Sequence, residues 1–137
     1  MTALRLVTGL VLGCVTAWAI MAVGFTSLRS VWPDYVIADP ENAFTLPMFF
    51  ARLSIFAALT AGGACVATLV AGDGRAAWIV GGLLLLVSLP PHLYYLWDDY
   101  PAWYHFVYLL SIVPIAAYSG RAVRRTFPGA FLSESAG

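Results

Sequence analysis

Four long apolar runs divide this chain, and a chain with that pattern has few ways to fold. The runs cover about residues 4–25, 46–70, 76–97 and 101–120. At about 1.5 Å per residue, roughly twenty helical residues cross a hydrocarbon layer about 30 Å thick. A helix pairs its backbone polar groups within one segment, as that layer requires. We therefore predict an all-α integral membrane protein, folded as an up-down bundle of four transmembrane helices.

The balance of charged and apolar residues argues against a soluble domain. Of 137 residues, 61% are hydrophobic and only 10% are charged, whereas soluble domains carry about 25% charged residues. The net charge is zero, so nucleic acid is not expected as a partner. We expect one membrane domain over residues 1–137, with a flexible tail at 126–137. Membrane lipids, other membrane protein subunits or further copies of the chain are its expected partners.

The arginines predict the orientation of the bundle. Two of the seven flank the outer ends of the runs, and the other five flank the opposite ends, at Arg5, Arg75, Arg121, Arg124 and Arg125. Short cytoplasmic loops carry an excess of basic residues. Both termini are therefore predicted to be cytoplasmic, with the protein in the cell inner membrane. The connection at 26–45 and the turn near residue 98 then face outward.

Small residues and prolines give local predictions. Gly9, Gly13 and Ala17 recur every four residues, a spacing that favours close contact between helices. Pro90 and Pro91 are predicted to kink or unwind the third run near its outer end.

Aspartates next to prolines mark two expected helix starts. Asp39 and Pro40 predict a short interfacial helix that ends near Pro47. Asp98 or Asp99 is predicted to cap the fourth helix.

Arg52 is a charge about two turns inside the second run. Charge at membrane depth is costly and is usually paired or exposed to water. We predict that Arg52 extends back to the outer interface and pairs there with a loop carboxylate, such as Asp98 or Asp99, or with lipid phosphate. The alternative is a transporter or channel component that uses Arg52.

Both histidines of the chain flank the outer turn, together with Asp98 and Asp99. Imidazole and carboxylate are ligands for zinc or iron, so His92, His105, Asp98 and Asp99 are the candidate metal residues. Two imidazoles can also ligate haem or relay protons, which makes His92 and His105 candidate cofactor ligands. The competing interpretation is an aromatic belt at the water–lipid boundary. The sequence does not identify a cofactor.

One short pattern occurs twice. A tryptophan, any residue, an aspartate and a tyrosine stand at 32–35 and again at 97–100, each time after an odd-numbered run. Two such hairpins would form a parallel repeat about an axis along the membrane normal.

Enzyme motifs give no support for catalysis. The chain contains no nucleophile elbow, phosphate loop or dinucleotide fingerprint. The two cysteines, Cys14 and Cys65, lie inside apolar runs and are interpreted as small hydrophobes. The predicted function is a small non-enzymatic accessory or structural subunit of a larger membrane complex. The transporter reading of Arg52 and a membrane redox, metal or haem protein using His92 and His105 remain alternatives.

Overall fold

A computed structural model describes residues 3–128 and shows an all-helical protein with no strand in that part of the chain. Five α-helices and one 3₁₀ helix follow in order: α1 (Ala3–Val31), α2 (Pro33–Ala38), the 3₁₀ helix (Asp39–Glu41), α3 (Leu46–Ala71), α4 (Arg75–Tyr94) and α5 (Ala102–Thr126). The four long helices are apolar enough to cross a membrane. Four apolar helices of this length indicate a multi-pass membrane protein.

Small residues let α1 and α3 pack backbone against backbone. Gly9 lies against Ala67, and Gly13 lies against Gly63. A Cβ atom on Gly13 would stand 2.7 Å from the carbonyl oxygen of Gly63. Gly24, further along α1, meets Ile55, earlier in α3, so the two helices run antiparallel. The predicted small-residue contact on α1 is confirmed, since Gly9, Gly13 and Ala17 are all buried.

Helices α4 and α5 are also antiparallel neighbours. Gly81 lies against Ala116, and at the other end of the pair His92 meets His105. Helix α5 runs parallel to α3, because Phe49 contacts Tyr104 while Gly120 lies beside Thr68.

The turn between α3 and α4 is three residues long, and Gly72 there has φ 72°. Glycine adopts this left-handed conformation without a Cβ clash. The turn stands beside α5, where Gly74, Arg75, Arg121 and Arg124 line one cavity of about 770 Å³. We call this side the basic end. The opposite side, where Tyr35, Phe44, Phe49, Tyr100 and Tyr104 pack together, is the aromatic end.

Two long helices extend beyond their apolar runs. Helix α1 continues past residue 25 to Val31, and α5 continues past Gly120 to Thr126. Arginines at the end of α5 suit a helix C-terminus, where the backbone dipole favours positive charge. The predicted tail begins at the last residue of α5, and 129–137 lie outside the described residues.

The third apolar run forms a helix that ends earlier than predicted and is not unwound at its prolines. Helix α4 remains helical through Pro90 and Pro91 and ends at Tyr94, before the expected end at Trp97. The backbone N–H groups of Tyr95 and Leu96 both donate to the carbonyl of Pro91, which closes the helix just after its prolines.

The first connection contains one more helix than predicted. Helix α2 starts at Pro33, while the 3₁₀ helix starts at the predicted Asp39 but ends at Glu41, before the expected end near Pro47. Asn42 follows it with φ 55°. Pro33 offers the same first-turn signal as Pro40, and a helical turn forms at each of them, with Tyr35 of α2 packed into the aromatic end.

The predicted aspartate cap on the last helix is wrong. Pro101 occupies the cap position of α5 without a side-chain cap, and Asp99 instead accepts a hydrogen bond from Asn42.

Candidate functional site

Arg52 stands at the centre of the aromatic end. It lies in the second turn of α3, and its side chain is only 12% exposed. Its two terminal nitrogens donate to phenol oxygens, one to Tyr35 at 2.5 Å and the other to Tyr100 at 3.1 Å. The flat guanidinium also stacks over the ring of Phe44, 4.5 Å from its centroid. These contacts join α2, α3 and the connection before α5 around one cation. We call Arg52, Tyr35, Tyr100, Asp39 and Phe44 the arginine cluster.

Carboxylate charge reaches the cluster from the 3₁₀ helix. An oxygen of Asp39 lies 3.7 Å from Arg52, while its other oxygen accepts two hydrogen bonds from Arg29 at 2.6 and 3.0 Å. Two guanidiniums therefore share one carboxylate. The predicted pairing of Arg52 with a carboxylate from a connecting segment is confirmed, but the partner is Asp39 rather than Asp98 or Asp99.

A hydrogen-bond chain continues from the cluster to the outer turn. The hydroxyl of Tyr100 donates to the side-chain oxygen of Asn42 at 3.1 Å, and the amide of Asn42 donates to Asp99 at 3.0 Å. Burial raises the pKa of the Tyr35 and Tyr100 hydroxyls, although the Arg52 cation opposes this shift. Both tyrosines are therefore neutral near pH 7, and Tyr100 can accept from Arg52 while donating to Asn42.

The two histidines contact each other next to the arginine cluster, where the ring of His105 lies beside that of Tyr100. Their Nδ1 atoms are 2.9 Å apart, and both rings are buried. Trp97 stacks on His105 with ring centroids 4.9 Å apart, and Tyr108 stacks on His92 at 4.5 Å. Nε2 of His105 is buried and has no hydrogen-bond partner among the described residues. One imidazole donates to the other, so at least one of the two must be neutral.

The geometry of this histidine pair is that of a direct hydrogen bond between the two rings. Two nitrogens bound to one tetrahedral zinc at about 2.0–2.1 Å would stand about 3.3 Å apart, farther than the observed 2.9 Å. Among residues 3–128, no group of three or more His, Cys, Asp or Glu side chains is placed to hold a metal ion. The structure thus brings His92 to His105 but does not group Asp98 or Asp99 with them. The metal and haem roles of these residues stay predictions.

Sequence reasoning named Arg52 and both histidines but missed most of the residues around Arg52: Tyr35, Asp39, Asn42, Phe44 and Tyr100. The repeated pattern at 32–35 and 97–100 was the available signal. Its two tyrosines are the two that bind Arg52, and its second tryptophan stacks on His105.

Comparisons of the chain with protein-family models, with curated proteins and with solved structures find no match. Function is therefore inferred from the chain's own geometry.

Proposed function

We propose that this protein is a small non-enzymatic integral membrane protein that serves as an accessory or structural subunit of a larger membrane complex. The supporting observation is the division of its surface. Polar side chains at the aromatic end bond to one another, while large apolar side chains on the long helices point outward. Trp18, Leu86 and Leu110 are 66–71% exposed. Such a surface is suited to lipid or to other transmembrane helices.

The proposed orientation is an up-down bundle in the inner membrane with both termini cytoplasmic. Arg75, Arg121 and Arg124 line one cavity at the basic end, while Arg29 and Arg52 belong to the aromatic end. An excess of arginine on one side marks the cytoplasmic side.

The subunit role is tested by recovering the tagged chain from native membranes in mild detergent after crosslinking. The expected result is one defined species of fixed stoichiometry, with other membrane proteins or with further copies of the chain. Recovery of the monomer alone, with and without crosslinker, would rule out the subunit role. Carbonate extraction of the same membranes tests insertion separately, because an inserted chain stays in the pellet.

A membrane redox, metal or haem protein is the second candidate, and the buried contact between His92 and His105 favours it. Its test is the metal content and the absorbance, from near ultraviolet to red, of protein purified without added metal. A stoichiometric metal or a haem band that disappears in the His92→Gln, His105→Gln double variant would support this candidate. Purified protein with neither a stoichiometric metal nor a haem band would reject this candidate.

The transporter alternative lacks a comparable observation, because Arg52 is held by two tyrosines.

A further inference from the structure

Two adjoining cavities between α1 and the other long helices form a groove with an apolar part and a charged part. The apolar part, about 200 Å³, is the tail cavity; its lining includes Cys14, Trp18, Leu59, Leu84 and Val87. The charged part, about 370 Å³, is the head cavity; its lining includes Phe25, Arg29, Asp39 and Arg52. Met21 and Phe56 line both cavities, so the two parts adjoin at these side chains.

The head cavity carries an excess of positive charge. Arg29 and Arg52 face a single carboxylate, that of Asp39, which leaves one positive charge without a balancing negative group in the lining of the head cavity. The tyrosines that bind Arg52 are neutral and do not neutralise it. Nε of Arg52 is also buried with no hydrogen-bond partner among residues 3–128. A buried cation with incomplete compensation favours an anionic ligand.

The head cavity lies nearer the end of α1 and the tail cavity nearer its middle, which is the order of the headgroup and the acyl chain of an amphiphile. Arg29 lies near the end of α1, whereas Cys14 and Trp18 lie near its middle. A lipid whose headgroup sits at the interface extends its chains in that same direction. Trp18 and Val87 at the tail cavity are 66% and 72% exposed, so the groove is open on the lateral surface of the helix bundle.

We propose that this groove binds one anionic phospholipid, with its phosphate at Arg29 and Arg52 and an acyl chain in the tail cavity. Charge complementarity selects the headgroup. Guanidinium donates charge-assisted hydrogen bonds to phosphate, and the choline cation of a zwitterionic lipid would add to the positive charge that Arg29 and Arg52 already place there. The apolar lining selects a hydrocarbon chain. This inference needs insertion into a membrane, but it does not depend on the proposed subunit role.

The test uses phosphatidylglycerol with a photoreactive diazirine on its acyl chain and a matched phosphatidylcholine probe. Each probe is added to full-length protein in nanodiscs, and labelled peptides are identified by mass spectrometry. Labelling of segments 14–21 and 84–88 is expected to be about tenfold stronger with phosphatidylglycerol, because only the phosphatidylcholine probe brings a choline cation to the arginines; this factor corresponds to about 1.4 kcal/mol. Equal labelling by the two probes would overturn the proposal.

Variants of single arginines distinguish binding at the head cavity from a general electrostatic attraction of the protein to anionic lipid. Arg29→Gln and Arg52→Gln should each reduce labelling to the phosphatidylcholine level. Arg29 is 53% exposed, so its variant keeps the proposal testable if Arg52→Gln fails to fold. Arg125→Gln, which removes an exposed arginine at the last turn of α5, is the matched control and should label like the parent. Equal labelling of the Arg29 and Arg125 variants would contradict the assignment.

A pair of leucines on α4 tests the tail cavity. Leu84 lines it, while Leu86 is 66% exposed. Leu84→Trp should fill the cavity and abolish labelling of segment 14–21, whereas Leu86→Trp should leave it unchanged.

Millimolar inorganic phosphate, added together with the phosphatidylglycerol probe, tests whether free phosphate competes for the head cavity. It should leave labelling intact, and complete displacement would identify a site for free phosphate and overturn the lipid assignment.

Discussion

The side chain of Arg52 joins elements that are distant in sequence. Tyr35 precedes it by 17 residues and Tyr100 follows it by 48. Replacing Arg52 with Met removes both hydrogen bonds and should lower the free energy of unfolding by about 2–4 kcal/mol. Lys should restore only part of this, because a single ammonium lacks the planar fork that reaches both hydroxyls. Reversible unfolding in mixed micelles measures the effect.

Arg29 supplies the control for that measurement. Its bond to Asp39 is short, but the side chain is 53% exposed, and exposed ion pairs contribute less than about 1 kcal/mol. Arg29→Gln should therefore cost far less than Arg52→Met. Similar losses in both variants would mean that Arg52 does not organise the aromatic end.

The histidine pair gives the protein an expected sensitivity to acid. The bond between the two Nδ1 atoms needs at least one neutral ring, so it is lost when acid protonates both rings. Protonation of both rings would also place two cations among Tyr104, Tyr108 and Trp97, near the Arg52 cation.

We expect the free energy of unfolding to be about 1–2 kcal/mol lower in acid, where both rings are protonated, than at neutral pH. The His92→Gln, His105→Gln double variant should lose most of this dependence while keeping its helical circular dichroism. Identical pH profiles for the parent and the double variant would show that other groups control the acid response.

At the scale of the helices, the contact between α1 and α3 depends on glycines, whose lack of a side chain lets the two backbones approach. A Cβ on Gly13 would lie 2.7 Å from the Gly63 carbonyl oxygen, which belongs to the rigid helical backbone of α3. Gly13→Ala should therefore separate the helices and cost about 1–3 kcal/mol.

Gly82 provides a matched control, since a Cβ there would meet no atom within 4 Å. Gly82→Ala should be neutral or stabilising by up to about 1 kcal/mol, because Ala favours a helix more than Gly does. The two variants are compared by unfolding in the same micelles. A Gly13→Ala variant as stable as Gly82→Ala would show that the close contact is unnecessary.

The helices that the sequence predicted well are those defined by hydrophobic length. Each of the four apolar runs corresponds to one long helix, and Leu46, Ala71 and Ala102 lie within one residue of the predicted boundaries. The first connection was predicted in part. Its 3₁₀ helix starts at the predicted Asp39, but α2 was not expected, although Pro33 carries the same local signal as Pro40. The packing of Tyr35 that holds α2 in place is a tertiary contact and leaves no local signal.

Partners across the bundle were harder to predict. Asp39, Asp98 and Asp99 were all plausible acceptors for Arg52 by charge alone, and the choice depends on how the first connection folds over α3. The meeting of His92 with His105 was easier to anticipate, because the connection between α4 and α5 is short. Their direct Nδ1 contact required the structure.

For the whole molecule, the arginine distribution predicts which end faces the cytoplasm. The basic end carries Arg75, Arg121 and Arg124 around one cavity, and the positive-inside rule places such an end on the cytoplasmic side. Alkaline phosphatase needs disulfides that form in the periplasm, whereas green fluorescent protein reports a cytoplasmic location.

Phosphatase fused after residue 74 or 137 should therefore be inactive, and phosphatase inserted after Asp98 should be active. Green fluorescent protein should show the opposite pattern at each position. Since the turn at 72–74 and the connection at 95–101 lie at opposite ends of α4, the two positions control for each other. Active phosphatase after residue 137 would reverse the orientation, and the head cavity at Arg29 and Arg52 would then face lipids of the cytoplasmic leaflet.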